Sequence, residues 1–281
     1  MALVLTAGFM GVEAVAGFLS GSLALLADAA HMLTDAGALG LAYAGARLAR
    51  RPPDKHRSYG YHRLEVLAAF VNGLALLLVV IGIGVEAIRR LVAPVEVMGG
   101  TMMAVAVVGL LVNLASLAVL RGGHHGHGHN LNVSSAAMHV MSDLLGSVAT
   151  IVAAALVLWA GLAVADPLLS LLVGGMVLRS GVGIVRRAGH VLLEGTPSDV
   201  DVEELRADLA AAVPGLADIH HIHIWSLTDE RPLVTLHARI ADGVDAGAVL
   251  GAVKQHLAAD GMAHSVIQLE RGDCPDEARP V

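Results

Sequence analysis

Apolar residues along this chain fall into six long blocks, at roughly residues 2–19, 22–46, 64–87, 101–120, 133–160 and 167–187. A helix needs about 20 mostly apolar residues to cross the hydrocarbon core of a bilayer, and each block approaches that length. The pattern predicts six transmembrane helices with both termini on one side of the membrane. Polar and helix-ending residues separate the blocks: Ser20-Gly21, Arg50-Arg51-Pro52-Pro53, Pro94, Gly99-Gly100, the run from Gly122 to His129, and Asp166-Pro167. No basic stretch precedes the first block, which argues against a cleaved signal peptide. A helix starting at residue 2 has no flanking anchor, which leaves open a polar leader ahead of it.

After Glu194-Gly195-Thr196-Pro197 the pattern changes to that of a small soluble unit with charges spread throughout. Val200 to Val213 has helical spacing and an acidic first turn. Ile219 to Leu227 and Leu233 to Ile240 alternate like strands, Ala246 to Ala259 is helical again, and Ser265 to Leu269 is strand-like. The order αββαβ suits a two-layer α+β unit with its helices on one sheet face. Two domains are expected: a six-helix membrane domain over residues 1–190, with a His-rich loop at 122–130, and an α+β domain over 195–281.

Composition agrees with this division. Of 281 residues, 56% are hydrophobic and 15% charged, and the mean hydropathy of +0.69 is too high for an ordinary soluble domain. Aromatics make up only 3%, so the apolar bulk is Ala, Val, Leu and Gly, which lets helix backbones approach closely. The net charge of −7, without a basic tail, argues against nucleic acid as a partner. Cys274 is the single cysteine, so no intrachain disulfide forms and a cytoplasmic C-terminal domain fits. Arg47, Arg50, Arg51, Lys55, Arg57 and Arg63 surround the second loop, and Arg186 and Arg187 follow the sixth block, which marks those sides as cytoplasmic. Arg89 and Arg90 fall on the opposite side as a local exception. The preference for Arg over Lys and the short loops suggest a prokaryotic plasma membrane.

Ionisable residues inside spans are costly and usually face a bundle interior or a water-filled cavity. Asp28, His31 and Asp35 lie in the second block, His139 and Asp143 in the fifth. Residues four apart share a helix face, so His31 with Asp35, and His139 with Asp143, can each aim an imidazole and a carboxylate at one point. Two such helices facing each other make a His2Asp2 set, which suits tetrahedral zinc, with cadmium, cobalt and iron(II) as competitors. The bland alternative is that each side chain only bonds a neighbouring helix. Asp28, one turn before His31, is a candidate for orienting a ligand or lining the access path, with helix packing as the alternative. Glu13 and Asn113 read as interhelical hydrogen-bonding groups.

Together, Asp28-Ala29-Ala30-His31-Met32-Leu33-Thr34-Asp35, Tyr59-Gly60-Tyr61-His62-Arg63-Leu64-Glu65-Val66, the His139/Asp143 pair and His221-Ile222-His223-Ile224-Trp225-Ser226-Leu227 resemble the cation diffusion facilitator family. The resemblance spans essentially the whole chain. It implies six spans, a ferredoxin-like cytoplasmic domain, a homodimer, and exchange of cytoplasmic zinc for protons. His rather than Asp at position 31 resembles the zinc-transporting branch. Zinc is then both the transported substrate and a regulatory ligand, without an organic cofactor.

Further candidate ligands lie outside the spans. The resemblance points to metal binding in the soluble domain, where His220, His237, His264, Glu270, Asp273 and Cys274 are candidates and His220 and His237 match the more commonly used positions. Strand alternation places His221 and His223 so that they cannot both join His220 in one site. Trp225 reads as packing. His56 and His62 flank the basic second loop, as an auxiliary zinc site or as ordinary loop polarity. His124, His125, His127 and His129 form either a metal-collecting tract or a flexible linker.

Metal ligands must be deprotonated, so zinc binding releases protons, and protonation of His31 and His139 on the outer side would expel the metal. Rocking of helices around a midplane site would complete the cycle of a secondary transporter. The sequence lacks a Gly-x-x-x-x-Gly-Lys-Ser/Thr loop for ATP, and it lacks the His-Glu-x-x-His and Gly-x-Ser-x-Gly motifs of hydrolases. A secondary active transporter rather than an enzyme is expected. A membrane metal sensor and an intramembrane zinc hydrolase are the alternatives.

Overall fold

The computed structural model of the chain describes residues 2–49, 53–122, 131–228, 231–272 and 274. Six long helices come first: α1 (Ala2–Ser20), α2 (Leu23–Ala49), α3 (Arg63–Val92), α4 (Gly99–Gly122), α5 (Leu131–Ala160) and α6 (Ala165–Leu192). A smaller α/β region follows: α7 (Val202–Ala212), β1 (Leu216–Ser226), β2 (Pro232–Ile240), α8 (Ala246–Ala259) and β3 (His264–Glu270). Each apolar block has become a helix, and α3 and α6 run about a turn past their blocks. On α3, Glu86 and Arg90 sustain that extension with an i,i+4 ion pair of 3.0 Å. Among the described residues, α3 and α6 are long and apolar enough to cross a membrane, and residues 8–20, 23–34, 99–115 and 144–160 are shorter apolar stretches.

Contacts divide the chain into two compact units: Met1–Tyr43 with Ala68–Val185, and Ala44–Leu67 with Arg186–Val281. In the first, small residues let helices meet. Ala16, Ala24, Ala153 and Ala154 pack with Leu25 and Met102 in one buried cluster. A Cβ on Gly109 of α4 would stand 3.0 Å from the Phe9 ring and 3.1 Å from Glu13 Oε1 of α1, so the absence of a side chain there lets the two helices cross closely. The start of α2 is tied down by a carboxylate from α6. Fully buried Asp166 accepts from Ser22 Oγ at 2.6 Å, Leu23 N at 2.8 Å and Ala24 N at 3.1 Å. These bonds satisfy amide groups that a helix start leaves without partners. Arg90 Nη1 also donates to Gly21 O, so α3 holds the same turn.

In the second unit the described sheet has order β1-β2-β3, with β1 antiparallel and β2 parallel to its neighbour. Along β2, Val234, Leu236, Ala238 and Ile240 are buried, and they join Leu205 and Leu209 of α7 and Val249, Val253 and Leu257 of α8 in one core. Both helices therefore share a layer, as the αββαβ pattern predicts. The intervening β2 residues Thr235, His237 and Arg239 point to the other face. Asp201 caps α7 by accepting from Glu203 N at 2.9 Å, and Asp245 caps α8 by accepting from Gly247 N at 3.2 Å. A β-bulge interrupts β1 between His220 and His223, where His221 takes a left-handed φ of 49°.

Candidate metal centres

In the helical unit, His31 lies on α2 as a half-buried side chain, while the side chains of Asp35, His139 and Asp143 lie outside the described residues. The facing of the two helices is nonetheless readable. A Cβ on Gly146 of α5 would stand 3.9 Å from Asp28 Oδ1 of α2. Asp28, His31 and Asp35 are three and four residues apart, hence on one face of α2; His139, Asp143 and Gly146 share one face of α5 by the same spacing. This approach brings the stretch of α2 that carries Asp28 near the stretch of α5 that carries Gly146. Asn113 Nδ2 on α4 donates to Ser147 Oγ on α5 at 3.2 Å, the interhelical bond expected of it. Glu13 is buried against Gly109.

A second constellation is built on the open face of the sheet. His220 on β1 pairs in register with His237 on β2, and β3 brings Glu270 alongside Arg239. His220 Nε2 lies 3.1 Å from Glu270 Oε2, His237 Nδ1 lies 3.0 Å from Glu270 Oε1, and His237 Nδ1 lies 3.3 Å from Cys274 Sγ. One potential ligand atom from each of the four lies within 4.8 Å of all the others. Glu270 and Cys274 are buried, and both histidines are partly so. Among the described residues, His220 Nε2 and Glu270 Oε2 find no hydrogen-bond partner; close as they are, they are misaligned for a bond to each other. Buried polar atoms without partners are costly, and a cation between them would remove that cost. Two imidazoles, a carboxylate and a thiol are the donors zinc takes, so the set fits a zinc ion.

Outer residues orient this set. Asp218 Oδ2 lies 3.2 Å from His220 Nδ1 and accepts from Arg206 Nη2 through Oδ1 at 3.0 Å, an arrangement that holds a ligating histidine by its far nitrogen. Burial acts to raise the Asp218 pKa, but the Arg206 hydrogen bond, the Ile219 amide and the nearby positive groups overcome it and hold the carboxyl below its ordinary value. Glu270 is likewise held low. Burial opposes ionisation there, while hydrogen bonds from Gln268 and Cys274 and the charges of His220 and His237 outweigh it. Neither Asp218 nor Gln268 was a candidate from sequence, although each stands two residues before a candidate ligand on its strand, the spacing that shares a sheet face.

The alternation expected around His220 is corrected by the bulge. With one extra residue in β1, the His221 ring turns to lie 5.4 Å from the His220 ring and 4.9 Å from the His237 ring, so His221 borders this centre. His223 is exposed and resumes the regular pairing opposite Thr235. His264 is not part of the centre: it stands edge-on to Tyr59 at 6.2 Å. His62 Nε2 takes a 3.1 Å contact from Arg231 Nη1, and His62 and His264 both line a cavity of about 390 Å³. His56 is exposed in the loop turn built on Asp54, whose carboxyl accepts its amide at 2.8 Å. Asp273, His124, His125, His127 and His129 lie outside the described residues.

These features define a class. Residues 1–193 match the cation efflux transmembrane domain, and residues 197–272 match the cation efflux protein cytoplasmic domain. The chain belongs to the cation efflux family, a family of transporters with a transmembrane and a cytoplasmic part. It is 47% identical to the zinc transporter ZitB of Escherichia coli, over 96% of this chain and 85% of that protein. It is 41% identical to the cation efflux system protein CzcD of an Alcaligenes species, over 98% of this chain and 86% of that protein. It is 38% identical to the cadmium, cobalt and zinc/H(+)-K(+) antiporter of Bacillus subtilis, over 95% of this chain and 86% of that protein.

Proposed function

We propose that the chain exports zinc from the cytoplasm in exchange for protons, with cadmium and cobalt as further substrates. The site is His31, Asp35, His139 and Asp143, one set per protomer, assembled from α2 and α5. The observation that supports this reading is the approach of Asp28 to Gly146, because those residues lie within a turn or two of the two pairs on α2 and α5. The names of the relatives, a zinc transporter and a metal/proton antiporter, support the choice of substrate and counter-ion.

Two neutral imidazoles and two carboxylates form a cage of zero-to-minus-two charge depending on protonation, which gives the device its coupling. With the carboxylates ionised, the cage binds a divalent ion at about 2.0 to 2.2 Å. Protonation of the imidazoles removes their lone pairs and repels the ion, so metal and proton exclude each other. Alternating access then makes one gradient drive the other, as in other secondary transporters. Six spans place the His-rich loop and the C-terminal domain in the cytoplasm of a prokaryotic cell, and the α-β-β-α-β order is that of a ferredoxin-like unit without its first strand. His220, His237, Glu270 and Cys274 would hold a regulatory zinc ion there, and the domain would join two protomers. The resident ion would cross-link the three strands and the segment after β3.

The test is zinc uptake into proteoliposomes driven by a pH gradient, with internal pH recorded at the same time. Wild-type protein should move zinc and protons in opposite directions, and His31→Ala should move neither. Zinc flux without proton movement would identify a passive channel, and wild-type flux in His31→Ala would remove the assignment of the site.

A further inference from the structure

The turn of α2 that carries His31 and Asp35 is gripped from a second side. Asn72 of α3 donates from Nδ2 to the carbonyl of Thr34 at 3.1 Å. That carbonyl already serves the amide four residues on, as in any α-helix, so Asn72 uses its second lone pair. One turn earlier, Thr34 Oγ1 donates to the carbonyl of Ala30 at 3.0 Å, a back-bond of the kind that bends helices. A Cβ on Gly37 would stand 3.0 Å from Asn72 Oδ1, so an alanine there would press on the amide that makes this bond. Thr34 is buried, with 5% exposure. Residues 30, 34 and 37 form one stripe of α2, and residues 28, 31 and 35 form the neighbouring stripe.

We infer that Asn72 is a positioning residue for transport: its bond to the Thr34 carbonyl sets the rotation of α2 and thereby the placement of His31 and Asp35. This rests on the reading of those two residues as transport ligands. Helix side chains reach about 5 to 6 Å from the axis, so a rotation of roughly 10° moves a ligand end by about 1 Å. Metal–ligand distances tolerate only about 0.2 Å. Packing of small residues restrains rotation weakly, because an Ala- and Gly-rich surface has few projections to catch, whereas a hydrogen bond to one carbonyl is directional. Asn72 and Gly37 thus act as a pair: the side chain holds the backbone, and the glycine admits the side chain.

The experiment is zinc transport in proteoliposomes by Asn72→Ala, Gly37→Ala, the double variant and His31→Ala, with initial rates measured over a range of zinc concentrations. Asn72→Ala and Gly37→Ala should each raise the apparent KM about tenfold with the maximal rate within about twofold of wild type, the size of effect one lost directional bond produces. The double variant should be no worse than Asn72→Ala alone, because both changes break the same contact. A wild-type KM in Asn72→Ala beside an inactive His31→Ala overturns the inference and leaves the ligand assignment standing. An active His31→Ala overturns the ligand assignment itself. A lowered maximal rate with unchanged KM, or multiplying effects in the double variant, also overturns the positioning role. Should Asn72→Ala fail to insert, Gly37→Ala with a wild-type KM decides against it.

Discussion

His220 Nε2 and Glu270 Oε2 lie 3.1 Å apart without forming a hydrogen bond. They belong to different strands, one at each edge of the sheet, and β2 between them supplies His237. A cation held among these atoms would tie the sheet across its full width. Cobalt(II) titrated into the full-length protein should therefore give a thiolate-to-metal charge-transfer band that Cys274→Ser abolishes and Cys274→Ala abolishes equally. In Glu270→Ala the band should persist with metal affinity about 10- to 100-fold weaker, since one ligand and its orienting bonds are gone.

The lowered pKa of Glu270 makes a prediction for the metal-free protein. A carboxyl whose folded-state pKa lies below its ordinary 4.5 contributes stability that is fully present above that value. The contribution is lost as pH falls through the folded-state pKa. Thermal unfolding of chelator-treated wild type and Glu270→Gln should therefore differ at about pH 5, and the difference should shrink as the pH is lowered further. A difference that grows on acidification would mean that burial, rather than the hydrogen bonds and histidines, dominates this carboxyl.

Asp166 makes the helical unit sensitive to a single change. Asp166→Ala would leave the Ser22 hydroxyl and two amides of α2 without their acceptor in a buried place. One to three kcal/mol is typical for each such group, with partial relaxation, so a loss of about 3 kcal/mol is expected. Asp166→Asn keeps an acceptor oxygen and should lose about half as much. Unfolding in detergent, followed by helix content, would measure both; equal stability of the two variants would show that the charge, not the cap, matters.

Gly146 gives a steric test of the α2–α5 approach. Its missing Cβ would sit at ordinary contact distance from Asp28, so Gly146→Ala should transport zinc within about twofold of wild type. Gly146→Leu would wedge the two helices apart, and its zinc KM should rise at least about tenfold. Normal transport by Gly146→Leu would place the ligand pairs elsewhere than between these faces.

The helices could be read from the chain because a long apolar block without strand-like alternation or internal breaks favours one regular element along its length. The αββαβ order was equally legible, since periods of two and of three to four residues announce themselves locally. The His-x-x-x-Asp spacing is a local signal of the same kind, since four residues is about one helical turn. Asp166 was not. Its sequence context, Asp before Pro, signals only a helix start, and the partners it caps are 142 to 144 residues away. Asn72 was hidden likewise, as an ordinary amide in an apolar run whose target is a backbone carbonyl 38 residues distant.

The soluble centre divides along the same line. Residue types nominated His220, His237, Glu270 and Cys274 but also His264 and Asp273; the family resemblance favoured His220 and His237, and strand register is what separates His264 from the rest. His264 begins β3 opposite Leu233, six residues before Glu270, so it ends up near Tyr59 instead. The bulge at His221 sets its imidazole beside His237, which regular strand alternation from His220 does not do. Local periodicity establishes which residues share a face, because it is a property of one element. Which faces meet depends on packing between elements, and that is decided by glycine gaps, buried caps and register, none of which leaves a periodic mark on the chain.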